Sequence, residues 1–132
     1  MNAQQTRKLQ SIYPAIRYND CRAAIAWLTS ALGFEENVVY PGEGESIAHA
    51  QLQLGGDIVM LGSANGKTAG TYIALESPAA IDAAYARAEA AGAEVTREIE
   101  ETDYGSREFS VPDPEGRVWS FGTCRPQAGI PD

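Results

Sequence analysis

The sequence predicts an α+β domain made of two βαβββ modules whose strands form a curved mixed sheet around a cup. Three observations predict it. Apolar residues alternate or recur at helical spacing in the order strand, helix, strand, strand, strand, and the order then repeats. Matching residues punctuate the two halves: Ile16 and Ile73, Gly33 and Gly92, Gly62 and Gly122. Their offset of about 60 residues is too long for a solenoid repeat and fits a duplicated module. The chain has 132 residues, 44% of them hydrophobic, enough for one domain with its own core.

The first module spans about residues 11–62. Ile12 to Tyr18 alternates as a strand, and Pro14, which has no N–H to give, suggests an edge position or a bulge. Asp20 is a good N-cap because its carboxylate can accept from the orphan amides of the first turn. Ala24, Trp27, Leu28, Ala31 and Leu32 recur at helical spacing as a buried stripe, and Gly33 stops the helix. Phe34 to Tyr40 reads as a strand. A turn at 41–45, a strand at 47–54, and the hairpin Gly55-Gly56-Asp57 leading into Ile58 to Leu61 complete the module. Gly62 to Gly70 reads as a linker.

The second module spans about residues 71–123. Tyr72 to Leu75 is its first strand. Ser77 caps a helix and Pro78 occupies the first helical position, where a missing N–H costs nothing. Ile81, Ala84, Tyr85 and Ala88 form the stripe and Gly92 ends it. Strands are expected at 94–98, 106–111 and 117–121, with an acidic loop at 100–103. The turn Asp113-Pro114-Glu115-Gly116 joins the last two. Residues 1–10 are expected to be a flexible tail. So are residues 124–132, which carry two prolines and a glycine.

Charge and composition narrow the function. The formal net charge is −8, which disfavours nucleic acid and anionic membrane as partners. No apolar run approaches the roughly 20 residues that span a bilayer. The polar first ten residues lack a signal-peptide core, so a cytoplasmic protein is expected. Cys21 and Cys124 fit no metal or redox spacing and are expected to be free thiols.

Several stretches resemble the glyoxalase/bleomycin-resistance/dioxygenase superfamily, the vicinal oxygen chelate proteins. They are Ile16-Arg17-Tyr18-Asn19-Asp20, Ala31-Leu32-Gly33-Phe34, and Tyr104-Gly105-Ser106-Arg107-Glu108-Phe109 running into Asp113-Pro114-Glu115-Gly116. The last stretch is most similar to the metal-free bleomycin-resistance branch. The resemblance implies a cup that takes a small molecule, and a homodimer. Whether the cup forms within one chain or across two is left open.

The resemblance also implies four metal-ligand positions on the cup face, on the first and last strand of each module. Here they fall at Tyr13, Met60, Tyr72 and Ser120. A catalytic divalent metal wants His nitrogen or carboxylate oxygen at such places, and the whole chain has one histidine. No metal and no other cofactor is therefore expected. The candidate ligand-binding residues are Tyr13, Arg17, His49, Met60, Tyr72, Arg107 and Ser120. Arg17 shares a strand face with Tyr13 and would meet either a ligand anion or an internal carboxylate such as Glu76. His49 shares a face with Gln51 and Gln53, as a polar cup wall or as a solvated strand face. Arg107 shares a face with Phe109 and Val111, either ion-paired or touching ligand.

Two readings follow. One is a binding protein that holds a small organic ligand in a metal-free cup, with sequestration of an antibiotic-type molecule as one form of it. The other is a lyase, isomerase or dioxygenase of the same superfamily, with or without a metal. A metal-free version would have to move protons with Tyr13, His49, Glu76 or Asp57.

Overall fold

The computed structural model describes residues 9–66 and 69–129. Its elements run β1 (Ile12–Tyr18), α1 (Cys21–Leu32), β2 (Glu35–Pro41), β3 (Ile47–Leu54), β4 (Asp57–Ser63), β5 (Gly70–Ala74), α2 (Pro78–Ala90), β6 (Arg97–Glu101), β7 (Arg107–Pro112) and β8 (Val118–Gly122). The strands form one eight-stranded sheet in the order β2-β3-β4-β1-β5-β8-β7-β6. In each half the first strand lies parallel to the last, β1 beside β4 and β5 beside β8. The halves join along an antiparallel seam in which Tyr13 faces Tyr72. The two modules therefore form one continuous sheet within a single chain.

Local chemistry explains the helices. The Asp20 carboxylate accepts from the Ala23 amide, and Gly33 closes α1 in the left-handed conformation at φ 78°. The Ser77 hydroxyl accepts from the Ala80 amide, with Pro78 at the first turn of α2. Both helices cover one face of the sheet. Cys21, Ile25 and Leu28 of α1 pack on Ile47, Ala50, Leu52 and Leu61, with Ile16 and Tyr18 beside them. In the other half, Ile81 of α2 is fully buried. Tyr85 meets Phe109 edge-on at 5.1 Å, and Phe109 stacks on Phe121 at 5.0 Å.

Several expectations need correction. Trp27 is 56% exposed. The buried stripe of α1 is Cys21, Ile25 and Leu28, and two residues beyond Ile25 lies nearly half a turn around the helix. β1 is central, although Pro14 suggested an edge. The Ala74 amide donates to the Ser11 carbonyl. The bonded pairs along the seam therefore fall at odd residues of β1, and Pro14 turns toward β4. Pairing with β4 begins only at Ala15, so the missing N–H interrupts no ladder.

β6 lies at Arg97–Glu101, shifted three residues from the strand expected at 94–98, so that it takes in Glu100 and Glu101 of the expected acidic loop. It is an outer strand, where exposed charge is tolerated and blocks further pairing. The expected N-terminal tail lies outside the described residues except for Leu9 and Gln10. The Gln10 side chain is fastened to β4: its Oε1 accepts from the Ile58 amide at 2.6 Å and its Nε2 donates to the Ile58 carbonyl at 2.8 Å.

Candidate functional site

The helices cover one sheet face, so the concave face carries the residues that alternate with the core. On β1 these are Tyr13, Ala15 and Arg17, and on β4 Ile58, Met60 and Gly62, as the register of the two strands requires. Gln51 faces Met60 and Gln53 faces Ile58 from β3. Tyr72 faces Tyr13 from β5, Ser120 faces Tyr72 from β8, and Ser110 faces Ser120 from β7. Tyr13, Met60, Tyr72 and Ser120 thus come together at the centre of the concave face. Arg17 and His49 share that face toward one end.

Arg107 does not join them. It lies on the helix-covered face, where its Nε donates to Asp82 of α2 at 2.8 Å and its Nη1 to Glu101 at 2.7 Å. Strand alternation had placed it with Phe109, and Phe109 packs under α2. Arg107 therefore links β7 to α2 and β6 and does not line the cup.

The concave face has two ends of different character. At one end Tyr13, Ile58, Tyr72 and Ala74 are buried together. What buries them is the segment after β8. The Tyr72 hydroxyl donates to the Cys124 carbonyl and the Tyr13 hydroxyl to the Pro126 carbonyl, each at 2.5 Å. The Gly129 amide donates to Gln53 Oε1 at 2.6 Å, and Ala128 packs against this buried cluster. Arg125 Nη1 donates to the Gln10 carbonyl at 2.7 Å and to Ser11 Oγ at 2.8 Å. The expected loose C-terminal tail is thus a strap across the cup through Gly129. Its prolines and glycine read as disorder in sequence because its partners are all distant in the chain.

At the other end the face is half-open. Arg17 is half-buried and lies over Gly62, where a Cβ would collide with its guanidinium. One register step beyond Ala50–Leu61 places His49 on the far side of Gly62. Tyr40 of β2 faces His49 and stacks on it at 6.2 Å and 22°. His49 Nε2 lies 2.9 Å from Gln51 Nε2. Among the described residues no carboxylate forms an ion pair with Arg17, and Glu76 is exposed. The row Tyr40, His49, Gly62, Arg17 presents a phenol, an imidazole and a cation, with the guanidinium in the space that the glycine leaves.

Sequence reasoning passed over Glu108. It is 5% exposed and stands on the concave face at the strap end. Its Oε1 accepts from the Tyr104 hydroxyl at 2.7 Å and meets Arg97 Nη2 at 2.9 Å. Partial burial, the hydrogen bond to Glu108 and its charge push the Tyr104 phenol up to about 12. Alternation with Arg107 and Phe109 was the available signal, since it puts Glu108 opposite the apolar side. A depression of about 660 Å³ lies elsewhere, at the start of α1, lined by Asn19, Asp20, Arg22, Glu45 and Asn65 among others. It includes none of the candidate ligand-binding residues.

A model of the Glyoxalase/Bleomycin resistance protein/Dioxygenase superfamily matches residues 10–121. The chain belongs to this superfamily. Solved structures agree with the fold. A superfamily member from Vibrio splendidus 12B01 is 23% identical with a TM-score of 0.69, covering 87% of this chain and 98% of that one. A Mn(II)-bound glyoxalase from Novosphingobium aromaticivorans is 24% identical with a TM-score of 0.66, covering 95% of this chain and 42% of that one. Methylmalonyl-CoA epimerase from Mycobacterium tuberculosis is 17% identical with a TM-score of 0.65, covering 96% of this chain and 94% of that one. A search of curated proteins found no match.

Metal use in this superfamily makes the donor set of this member the point to test. The central residues are two phenols, a thioether and a serine hydroxyl. Both phenols give their protons to carbonyls of the strap. Burial, reinforced by the charge of Glu108, pushes the Tyr72 phenol well above its ordinary range, so it does not become a phenolate donor near neutral pH. Ser120 Oγ shares a hydrogen bond of 2.8 Å with Ser110 Oγ. Such a set does not fit a catalytic divalent metal. Among the described residues no three His, Cys, Asp or Glu side chains gather as a metal-holding group. Among them also, no helix is long and apolar enough to cross a membrane.

Proposed function

We propose that this superfamily member binds a small organic anion in a metal-free cup, at the end lined by Arg17, His49, Met60 and Tyr40. One observation carries the reading: a half-buried guanidinium on the concave face with no carboxylate partner among the described residues. A guanidinium removed from water needs a counter-charge or hydrogen-bond acceptors, and a ligand carboxylate or phosphate supplies both. Tyr40 and His49 add a flat surface for a planar group, and Met60 gives an adaptable apolar floor. Tyr13 and Tyr72, covered by the strap, and Ser120 beside them border the site at the centre of the sheet. Sequestration of an antibiotic-type molecule is the biological form this binding would take.

The test is a thermal-shift screen of small organic acids against the native chain and against Arg17→Met, with mass analysis of any ligand recovered. Stabilisation that depends on Arg17, with the ligand returned unchanged, supports the proposal. Hits that ignore Arg17 oppose it. Conversion of the ligand to a product makes the chain an enzyme of the same superfamily.

A further inference from the structure

We propose that the strap-covered floor of the cup is a second subsite, built to take an extended amide-bearing chain, and that residues 124–129 are its internal occupant. The inference rests on the reading of the concave face as a ligand cup and adds the ligand chemistry of its closed end. The strap shows what that floor recognises. Two phenols in register across the module seam, Tyr13 and Tyr72, donate to carbonyls two residues apart, those of Pro126 and Cys124. Gln53 Oε1 accepts an amide N–H, from Gly129. The Pro126 ring is fully buried, and Ala128 lies on the apolar floor of Ile58, Tyr72 and Ala74.

Two donors set to receive alternate carbonyls, an acceptor for an N–H, and an apolar bed between them match the repeat of an extended peptide-like backbone. They do not match a hydrocarbon or a compact polyanion. The strap follows β8, and its principal side-chain anchor is Arg125, on Gln10 and Ser11. A ligand that offers the same acceptors and donor therefore competes with it. It enters from the Arg17 end and displaces the strap from Gly129 inward.

The probe is a synthetic nine-residue peptide with the sequence of residues 124–132. It is added to a chain ending at Thr123 and to the full chain. The expected result is a saturable rise in melting temperature for the shortened chain and none for the full chain, whose own strap fills the floor. Tyr13→Phe in the shortened chain should weaken the peptide about threefold to tenfold, the worth of one neutral hydrogen bond. Arg17→Met should leave the peptide unaffected, which separates failure here from failure of the anion site. A shortened chain that folds and ignores the peptide overturns the proposal.

Hydrogen exchange on the full chain provides a test that does not depend on the truncation. The amides of Gln127, Ala128 and Gly129 should exchange at least about tenfold faster than those of β1 and β5, and faster still in Tyr13→Phe, because a displaceable strap opens locally. Exchange at the rate of the sheet amides would make the strap a fixed part of the core and overturn the proposal.

Discussion

Tyr13 and Tyr72 face each other across the seam between the modules, ring centres 5.8 Å apart and planes inclined at 58°. Each donates its phenol proton to the same C-terminal strap. The resemblance of the sequence to the superfamily puts them at two of its metal-ligand positions. Their protons are committed elsewhere, and the third and fourth positions are Met60 and Ser120. Elemental analysis of untagged protein is expected to find no stoichiometric Zn, Ni, Mn or Fe. About one tightly held ion per chain, or an activity lost to chelator and restored by metal, would refute this.

Glu108 and Tyr72 meet over Gly122. A Cβ there would collide with the Tyr72 hydroxyl and would lie 2.9 Å from both Cγ and Oε2 of Glu108. Gly122 needs no positive φ, so the constraint is space alone. Gly122→Ala should destabilise the fold by about 1–3 kcal/mol, the usual cost of overpacking. A denaturant melt equal to that of the native chain would show that Glu108 and Tyr72 can swing aside freely.

The fold was legible because its signals are local. The Asp20 and Ser77 caps, Gly33, the Gly55 hairpin and the Asp113-Pro114-Glu115-Gly116 turn each act within a few residues, and the repeat order does the rest. What was not legible depends on partners far away in the chain. Trp27 was assigned to the core by a stripe running through Ala24, Leu28 and Ala31, whereas the buried side of the helix is the one that carries Cys21, Ile25 and Leu28. Pro14 looked like an edge residue because its effect depends on where β4 starts to pair. The strap is invisible for the same reason: its bonds reach Gln10, Tyr13, Gln53 and Tyr72. At the site, alternation placed Tyr13 with Arg17 on one strand and His49 with Gln51 and Gln53 on another. For Arg107 it gave the apolar face shared with Phe109 and Val111, but not the ion-pair partners Asp82 and Glu101, which lie on other elements.

The Asp113 carboxylate organises the last hairpin. It accepts from the Glu115 and Arg117 amides at 2.9 and 3.0 Å and from Trp119 Nε1 at 3.3 Å. Desolvation pulls its pKa up. The hydrogen bonds from Trp119 and the two amides outweigh that and hold it below the ordinary value. A depressed folded pKa contributes stability above the unfolded pKa, about 3.9 for Asp, and loses it as pH falls through the folded value. Asp113→Ala should therefore melt below the native chain at pH 7, with the gap closing below about pH 4. An equal gap at pH 7 and pH 3 would show that the carboxylate charge is not what the turn uses.

Superfamily habit, and a Gly-rich connection between the modules, motivate a further proposal: the chain forms a homodimer. Sedimentation at micromolar protein is expected to give the mass of two chains. A mass near 14.1 kDa, that of a single chain, would oppose it.

Arg17 gives the most discriminating measurement. Its guanidinium lies over Gly62, which has no side chain to contest the space, and no carboxylate among the described residues neutralises it. If it served an internal ion pair, Arg17→Met would strand a buried charge and cost about 3–5 kcal/mol of stability. With a ligand as partner, the empty cup is wet at that end. The same change should then leave stability within about 1 kcal/mol, as for substitutions outside the core. An anionic ligand should weaken by about 1.5–3 kcal/mol, the worth of a charge-assisted hydrogen bond, or roughly 10- to 150-fold. Gly62→Ala is the companion variant. It keeps the charge but forces the guanidinium off its seat, so it should weaken the same ligand at unchanged net charge. Denaturant melts and ligand titrations on the three proteins decide the matter. Loss of stability in Arg17→Met would show a buried pair. Unchanged stability with unchanged affinity would place Arg17 outside the site and remove the observation on which the proposed function stands.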